Sequence, residues 1–185
     1  MPKTLDIRIY GDDILRRKLK DADPKDPFLK EFLPDLIHTM YLRDGVGLAA
    51  NQVGVDLRIF AIDPWWAQED GKKNPRVMIN PEILEREGEQ ISEEGCISLP
   101  NIFGNVLRDF KIRYKYTNTE GEEIQATAEG YEAVVIQHEF DHLQGTVFTD
   151  RLSTLAKLRV KRKLKDLESR AQDGINIADP SDFER

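Results

Sequence analysis

The stretch from Gly130 to Gly145 constrains the fold most strongly, because it predicts a helix with apolar residues on both sides. Projected at about 100° per residue, one side carries the apolar Ala133, Ile136, Phe140 and Leu143, and the other side carries Tyr131, Val134, Val135, His138, Glu139 and His142. Such a helix is stable only inside a domain. We therefore expect the other elements to pack around it, with Gly145 ending the helix as a C-terminal cap.

The same helix carries the residues of a metal site. His138 and His142 are four positions apart and share a face, and Glu139 lies beside them in an HExxH pattern. Imidazole nitrogens bind first-row divalent ions, and a neighbouring carboxylate can move the proton of a water. Val135, one turn before Glu139, would desolvate this carboxyl group and raise its pKa. The alternative is a helix whose histidines make only ordinary hydrogen bonds.

Composition restricts the class of protein. A chain of 185 residues fits one domain, which we place at 1–172, followed by a flexible tail at 173–185 that begins near Asp173. The net charge of −7 disfavours a DNA partner, and the sequence contains no apolar run that predicts a membrane segment. The amino terminus lacks the pattern of a signal or transit peptide, so the expected location is the cytoplasm. A single cysteine, Cys96, excludes an intramolecular disulfide and agrees with a reducing compartment.

Two further helices flank this segment in the sequence. Apolar residues at three- and four-residue steps predict an amphipathic helix over 28–41, which either begins near Pro34 or is kinked there. Ser153 is placed to cap a last helix that runs to about Arg170. That helix has an apolar stripe of Val160, Leu164 and Leu167, and its other faces are basic.

Strand patterns complete the prediction of the fold. Residues 58–62 and 77–81 are short apolar strands, the second stopped by Pro81. Polar and apolar residues alternate over 111–116 and 123–128, which predicts a hairpin. We therefore predict a single α+β domain in which antiparallel β-sheets pack around a central HExxH-bearing helix, with an N-terminal helix and a C-terminal helix.

Two other segments are weaker signals when taken alone. The run from Gly45 to Gln52 consists mostly of small residues, and a packing turn explains it as well as a ligand-binding loop does. Cys96 follows Gly95 in what we predict to be a tight turn that exposes its backbone. A lone cysteine is most often an inert buried residue, so Cys96 by itself does not indicate chemistry.

Three segments taken in order carry a family resemblance: Gly45-Val-Gly-Leu-Ala-Ala-Asn-Gln52, Glu94-Gly-Cys-Ile-Ser98 and Gln137-His-Glu-Phe-Asp-His-Leu-Gln-Gly145. Together they closely resemble the three signature motifs of the peptide deformylases. The resemblance extends over nearly the whole chain, from the Gly11-Asp12 turn to the helical carboxyl end. It implies a metal-dependent hydrolase that removes the formyl group from the N-terminal formylmethionine of new polypeptides and releases formate.

The resemblance also implies a role for individual residues. Cys96, His138 and His142 would bind one divalent ion, with Fe²⁺ favoured over Zn²⁺, Ni²⁺ or Co²⁺, and a metal-bound water would be the nucleophile. Glu139 would be the general base and then the acid. The Gln52 amide and the backbone N–H of Ile97, where the family usually has Leu, would stabilise the oxyanion. The expected substrate-binding residues are Gly45, Val46, Gly47, Glu94, Val134 and Val135, while Arg108 is a candidate to hold Glu94 or Asp141 in place.

Three other functions compete with this one. A zinc peptidase also uses HExxH, although its third ligand is commonly a carboxylate or histidine rather than a residue such as Cys96. A non-catalytic metal-binding or ribosome-associated module would use the basic helix after Ser153, which is also a possible ribosome contact for a deformylase. In the third, Cys96 is a nucleophile and His138 its base. Within the deformylase prediction, formylmethionyl nascent peptides are the expected partner.

Overall fold

The computed structural model describes residues 1–68 and 70–184. Within them the α-helices are α1 (Phe28–Leu42), α2 (Gly130–Leu143) and α3 (Thr154–Glu168). The strands are β1 (Gly47–Ala49), β2 (Ile59–Ile62), β3 (Arg76–Glu87), β4 (Gln90–Cys96), β5 (Leu99–Arg108), β6 (Lys111–Thr117) and β7 (Glu123–Glu129). In the same residues, no helix combines the length and the apolar character needed to cross a bilayer.

The strands form two antiparallel sheets, and α2 packs against the larger one. Five strands hydrogen-bond in the order β1-β2-β3-β6-β7, and β4 pairs with β5 as a separate hairpin. Ala133, Ile136 and Leu143 of α2 join one core cluster with the sheet residues Phe60 and Met78. The α+β prediction is therefore confirmed, and the apolar side of α2 faces the sheet as its periodicity indicated.

The hairpin of β6 and β7 forms where the alternating pattern placed it. Lys111 pairs with Glu129 at one end of the ladder and Thr117 with Glu123 at the other. The turn is closed by Asn118, whose Oδ1 accepts the backbone N–H groups of Glu120 at 3.0 Å and Glu122 at 2.9 Å. An asparagine that bonds to backbone two and four residues ahead is a local signal, which explains why the sequence predicts this turn well.

Pro81 does not stop its strand, and that part of the prediction is wrong. β3 continues to Glu87, with a shift of register against β6 between Ile79 and Glu82. Asn80 has φ 51° there, and its side-chain amide bonds the backbone of Ala22 in both directions, at 2.8 and 2.9 Å. Proline is tolerated at a bulge because the ladder is already interrupted. The residues that follow Pro81, as far as Glu87, therefore belong to the same strand.

α1 begins at Phe28 and continues through Pro34, so the alternative start near Pro34 is wrong. Pro34 lies on the exposed side of the helix, while Leu29, Phe32, Leu36 and Met40 are buried. The buried apolar stripe stabilises the helix in spite of the backbone hydrogen bond that proline cannot donate. The amphipathic pattern was therefore the more informative signal.

α3 begins at its predicted cap, since Ser153 Oγ accepts the backbone N–H of Ala156 at 3.2 Å. Val160 and Leu167 are buried, whereas Leu155 and Leu158 are each 61% exposed. The helix therefore packs along one narrow stripe, and its basic residues face outward as the sequence indicated.

The residues after Asp173 lie against the body of the domain. The buried Asn176 donates its side-chain amide to the backbone oxygens of Tyr10 at 2.7 Å and Leu167 at 2.8 Å. Ala178 donates its backbone N–H to Ile7 O at 2.8 Å. A short 3₁₀ helix follows at Pro180–Phe183. The division into a domain at 1–172 and a flexible tail stays a prediction, because it concerns motion, but the structure gives this segment a defined place.

Candidate active site

Cys96, His138 and His142 come together at the junction of β4 and α2. One ligand atom from each lies within 4.8 Å of the others, and Cys96 Sγ is 3.4 Å from His142 Nε2. Ligands at the bond lengths usual for zinc are separated by about 3.4–3.8 Å across a tetrahedron. The three side chains therefore fit a single ion of that kind without rearrangement of the backbone. Burial, together with the positive charge of Arg108, lowers the pKa of His142, which favours the neutral ring that a metal needs.

His138 is oriented by Glu94. Its Nδ1 lies 2.8 Å from Glu94 Oε1, so this nitrogen carries the proton and donates to the carboxylate, and Nε2 is left for an ion. Burial alone would raise the pKa of Glu94, but hydrogen bonds from Arg108 and His138 outweigh it and lower that pKa to about 2. Glu94 is therefore an anion at neutral pH and fixes both the tautomer and the direction of the imidazole.

Arg108 connects this carboxylate to a second one on α2. Its guanidinium binds Glu94 through Nε at 2.8 Å and Nη2 at 2.7 Å, and Asp141 through Nη1 at 2.6 Å. Arg151 binds the same Asp141 through two nitrogens, at 2.6 and 2.8 Å. The prediction left open whether Arg108 holds Glu94 or Asp141, and the structure shows that it contacts both. One arginine thus couples β4 to the helix that carries the histidines.

Glu139 is packed against the glycine-rich segment. A Cβ atom added to Gly47 would lie 2.5 Å from Glu139 Oε1, so any larger residue there would require the Glu139 side chain to move. Glu139 is 5% exposed, and its Oε2 is buried without a hydrogen-bond partner among the described residues. Burial raises the pKa of this carboxyl group to about 7. The predicted desolvation of Glu139 is therefore confirmed in direction, and the free oxygen is available to a ligand.

Gln52 faces the cluster with its amide nitrogen. The backbone N–H of Ala49 donates to Gln52 Oε1 at 2.9 Å, which fixes the orientation of the amide. Nε2 then lies 3.0 Å from Ser98 Oγ and 3.4 Å from Cys96 Sγ. Gln52 therefore points two N–H groups toward the thiol and the turn that follows it.

A cavity of about 430 Å³ opens beside these groups. It is bordered by most residues that we expected at the site, namely Gly45, Val46, Gly47, Gln52, Glu94, Cys96, Ile97, Val134, Val135, His138 and Glu139. His142 lies deeper, at 1% exposure, behind Cys96 and His138. A small substrate in this cavity would contact Glu139 and the ligand cluster together.

Three residues that contribute to the site were not predicted from the sequence. Asn51 Nδ2 donates to the backbone oxygen of His142 at 2.8 Å, and Ser98 Oγ receives the Gln52 amide. Arg151, the third, binds both carboxylate oxygens of Asp141. Asn51 and Ser98 lie inside motifs that were already recognised, so their position was a usable signal. Arg151 lies outside those motifs, and its pairing depends on the fold.

The arrangement is that of a mononuclear metal-dependent hydrolase, with a Cys-His-His cluster, a buried carboxylate and a cavity that reaches both. The family model of the polypeptide deformylases matches residues 4–158. Peptide deformylase from Pseudothermotoga lettingae is 42% identical over 167 residues, which are 90% of this chain and 93% of that protein. On this evidence the chain belongs to the polypeptide deformylase family.

Solved structures agree with this assignment. Peptide deformylase from Thermotoga maritima has 44% identity and a TM-score of 0.75, with 82% of this chain and 99% of that chain covered. The enzyme from Legionella pneumophila has 38% identity and a TM-score of 0.80, covering 92% of this chain and all of that chain (100%). The similarity therefore includes both the sequence and the fold, and the prediction of the family and of a hydrolase is confirmed.

Proposed function

We propose that this hydrolase removes the formyl group from N-terminal formylmethionine of newly made polypeptides, with formate and a free amine as products. The observation that carries the proposal is the free oxygen of Glu139, buried beside the Cys-His-His cluster and facing the same cavity. A buried carboxyl group without a partner is costly unless a ligand or water uses it. Membership of the deformylase family supplies the reaction class.

Cys96, His138 and His142 are the proposed metal ligands. A divalent ion held by these three side chains would supply Lewis acidity and would make water a stronger nucleophile at neutral pH. Fe²⁺ is the proposed ion from the family resemblance, with Zn²⁺, Ni²⁺ or Co²⁺ as substitutes. Glu94 was counted among the substrate-binding residues, but both of its oxygens bond Arg108 or His138. We therefore assign Glu94 to the positioning of His138.

Glu139 moves protons in this proposal. With a pKa raised by burial to about 7, the carboxylate can accept a proton near neutral pH and return it to the departing amine. The absence of a side chain at Gly47 leaves room for Glu139 at its place beside the ligand cluster. Gln52 Nε2 and the backbone N–H of Ile97 are the proposed donors to the developing oxyanion, and the Ala49 contact holds the amide in the required orientation.

The substrate main chain is proposed to pair with the segment from Gly45 to Gly47. β1, which begins at Gly47, is an edge strand of the five-stranded sheet and pairs with β2 on one side. An edge strand offers backbone donors and acceptors to an extended peptide. Val46, Val134 and Val135 line the cavity next to this edge, and they form the proposed pocket for the methionine side chain.

The test is formate release from formyl-Met-Ala, measured on anaerobically prepared protein of known metal content. Formate should be released from this peptide, and an acetyl-Met-Ala control should be cleaved far more slowly. Glu139→Gln should bind the metal normally and lose at least about a hundredfold in turnover. A zinc peptidase would instead cut internal bonds of a blocked peptide, and a cysteine nucleophile would survive chelation. Internal cleavage without formate release would overturn the proposal, and formate release that persists after chelation would overturn the metal-dependent mechanism.

The identity of the ion is tested separately. Thiolate-bound Fe²⁺ is sensitive to oxygen, so iron-loaded protein should lose activity in air, whereas nickel-loaded protein should keep it. Equal activity of zinc-loaded and iron-loaded protein, both in air and without oxygen, would contradict the preference for iron.

A ribosome contact through α3 stays a prediction. The helix exposes Leu155 and Leu158 among basic residues such as Lys157, Arg159 and Lys161, which permits contact with an acidic surface. Ribosome pelleting of the intact protein and of a Lys157→Glu, Lys161→Glu variant measures this. Equal pelleting of the two proteins at low salt would contradict the prediction.

A further inference from the structure

The carboxyl-terminal segment borders the same cavity as the catalytic groups. Asp182, Phe183 and Glu184 line it, together with Glu139 and Cys96. This segment lies beyond residue 158, where the match to the family model ends.

Specific contacts hold the segment at the cavity. Arg170 of the turn after α3 binds both oxygens of Asp182, at 2.9 and 2.8 Å. Asp179 caps the short helix by accepting the backbone N–H of Ser181 at 2.9 Å. Phe183 is half-buried against the main core cluster. The segment is thus fixed at two points, one polar and one apolar.

Phe183 also contacts Arg43, which lies close in the chain to the glycine-rich segment. The guanidinium carbon of Arg43 lies 4.1 Å from the centre of the Phe183 ring, a cation–π distance. Arg43 follows α1 directly, and only Asp44 separates it from the segment that begins at Gly45. The carboxyl-terminal segment therefore packs beside the edge along which the substrate main chain is proposed to run.

The outer part of the cavity carries more negative than positive charge. Among its described lining residues, Asp44, Glu93 and Glu184 are exposed carboxylates, and Asp182 is paired with Arg170. Arg43 is the basic residue in this lining. The unpartnered oxygen of Glu139 at the inner end shows independently that the cavity is shaped for a ligand. A peptide that enters with its formyl group at Glu139 would place its later residues against the acidic outer part.

We propose that residues 179–184 form one wall of a subsite for the residues that follow formylmethionine, and that this subsite favours basic over acidic side chains. The inference rests on the proposed function, since it takes a formylated peptide as the ligand. Phe183 supplies apolar contact to the peptide, while Glu184, with Asp44 and Glu93 across the opening, attracts cationic side chains.

The test compares two peptides within each protein, so that differences in overall activity cancel. The ratio of kcat/KM for formyl-Met-Ala-Lys-amide to that for formyl-Met-Ala-Glu-amide is measured by formate release. We expect about a threefold preference for lysine in the intact protein, and a smaller preference at high salt. A chain ending after Ala178 should give a ratio near one, because it loses the acidic wall and frees Arg170.

A matched pair of point variants covers the case in which the shortened chain does not fold. Phe183→Ala combined with Glu184→Gln should reduce the ratio. Phe110→Ala changes an exposed phenylalanine that is not part of the cavity lining, and it should leave the ratio of the two kcat/KM values unchanged. An equal ratio in the intact, double-variant and shortened proteins would overturn the subsite. Absence of formate from both peptides in the intact protein would overturn the proposed function as well, so the two failures are distinguishable.

Discussion

Gly47 and Glu139 are packed so closely that the Cβ of any other residue at position 47 would lie 2.5 Å from Glu139 Oε1. Replacing Gly47 by Ala should therefore displace the carboxylate from its place beside the metal ligands. A displacement of about 1 Å at a reacting group costs about a hundredfold in rate. We expect Gly47→Ala to lose turnover on that scale while metal content, measured on the same sample, is kept.

Gly121→Ala is the control for this substitution. Gly121 has φ +81° in the turn of the β6–β7 hairpin, and nothing lies within 4 Å of an added Cβ. The change should destabilise the protein by about 1 kcal/mol through backbone strain and leave turnover unchanged. If both variants lost turnover in proportion to their loss of stability, the explanation by displacement of Glu139 would be wrong.

Glu94 should influence the metal without touching it. Glu94→Gln keeps the shape of the side chain but weakens the hydrogen bond that orients His138 and leaves Arg108 with less compensating charge. Loss of such a partner typically lowers metal affinity by about 10-fold to 100-fold. Competition with a chelator measures this affinity. Glu93→Gln is the control because Glu93 is exposed on the same strand, and an equal decrease there would contradict the positioning role.

The helix and its histidines were predictable because the information is local. Periodicity over 130–145 fixes which side of α2 is apolar, and a spacing of four residues brings His138 and His142 together on any helix. The third ligand is different. No local rule joins Cys96 to a helix that begins more than thirty residues later, and only the resemblance of the three motifs supplied this link.

The other features of the fold and of the site depended on contacts between residues that are distant in the sequence. Pro81 predicted the end of a strand because the sequence does not show that the strand has a bulge there. A bulge tolerates proline, and this one depends on the partner strand and on the contact of Asn80 with Ala22. Arg151 gave no signal, since its partner Asp141 lies on another element. The carboxyl-terminal segment is polar, and polar composition alone does not reveal that Asn176 is buried.

The ion pairs of the protein should differ in strength according to burial. Arg108 and its partners Glu94 and Asp141 are between 2% and 8% exposed, whereas Arg113 and Glu85 are 41% and 68% exposed. Arg108→Met would leave two carboxylates buried with less compensating charge, which costs about 3–5 kcal/mol. Arg113→Met should cost far less, because an ion pair in contact with solvent contributes little to stability. Urea denaturation measures both, and equal losses would contradict the distinction.

The pKa of Glu139 makes the stability of metal-free protein depend on pH. In the folded chain burial raises it from 4.5 to about 7. At acidic pH, below both values, the carboxyl group is protonated in both states. As pH rises toward 7, the unfolded chain releases this proton and the folded chain retains it, so the free energy of unfolding falls. Relative to Glu139→Gln, the free energy of unfolding of the wild type should fall by up to about 3 kcal/mol as pH rises to about 7. Above that pH the difference between the two proteins should stay constant.

Glu85 provides a control of the opposite sign. Its hydrogen bond to Arg113 lowers its pKa, so this group stabilises the folded chain at neutral pH and loses that effect as pH falls. Unfolding free energies of chelator-treated wild type, Glu139→Gln and Glu85→Gln are compared between pH 4 and 8. The wild type should lose stability relative to Glu139→Gln with rising pH and gain a small amount relative to Glu85→Gln. A pH-independent difference between wild type and Glu139→Gln would show that burial does not raise the pKa of Glu139.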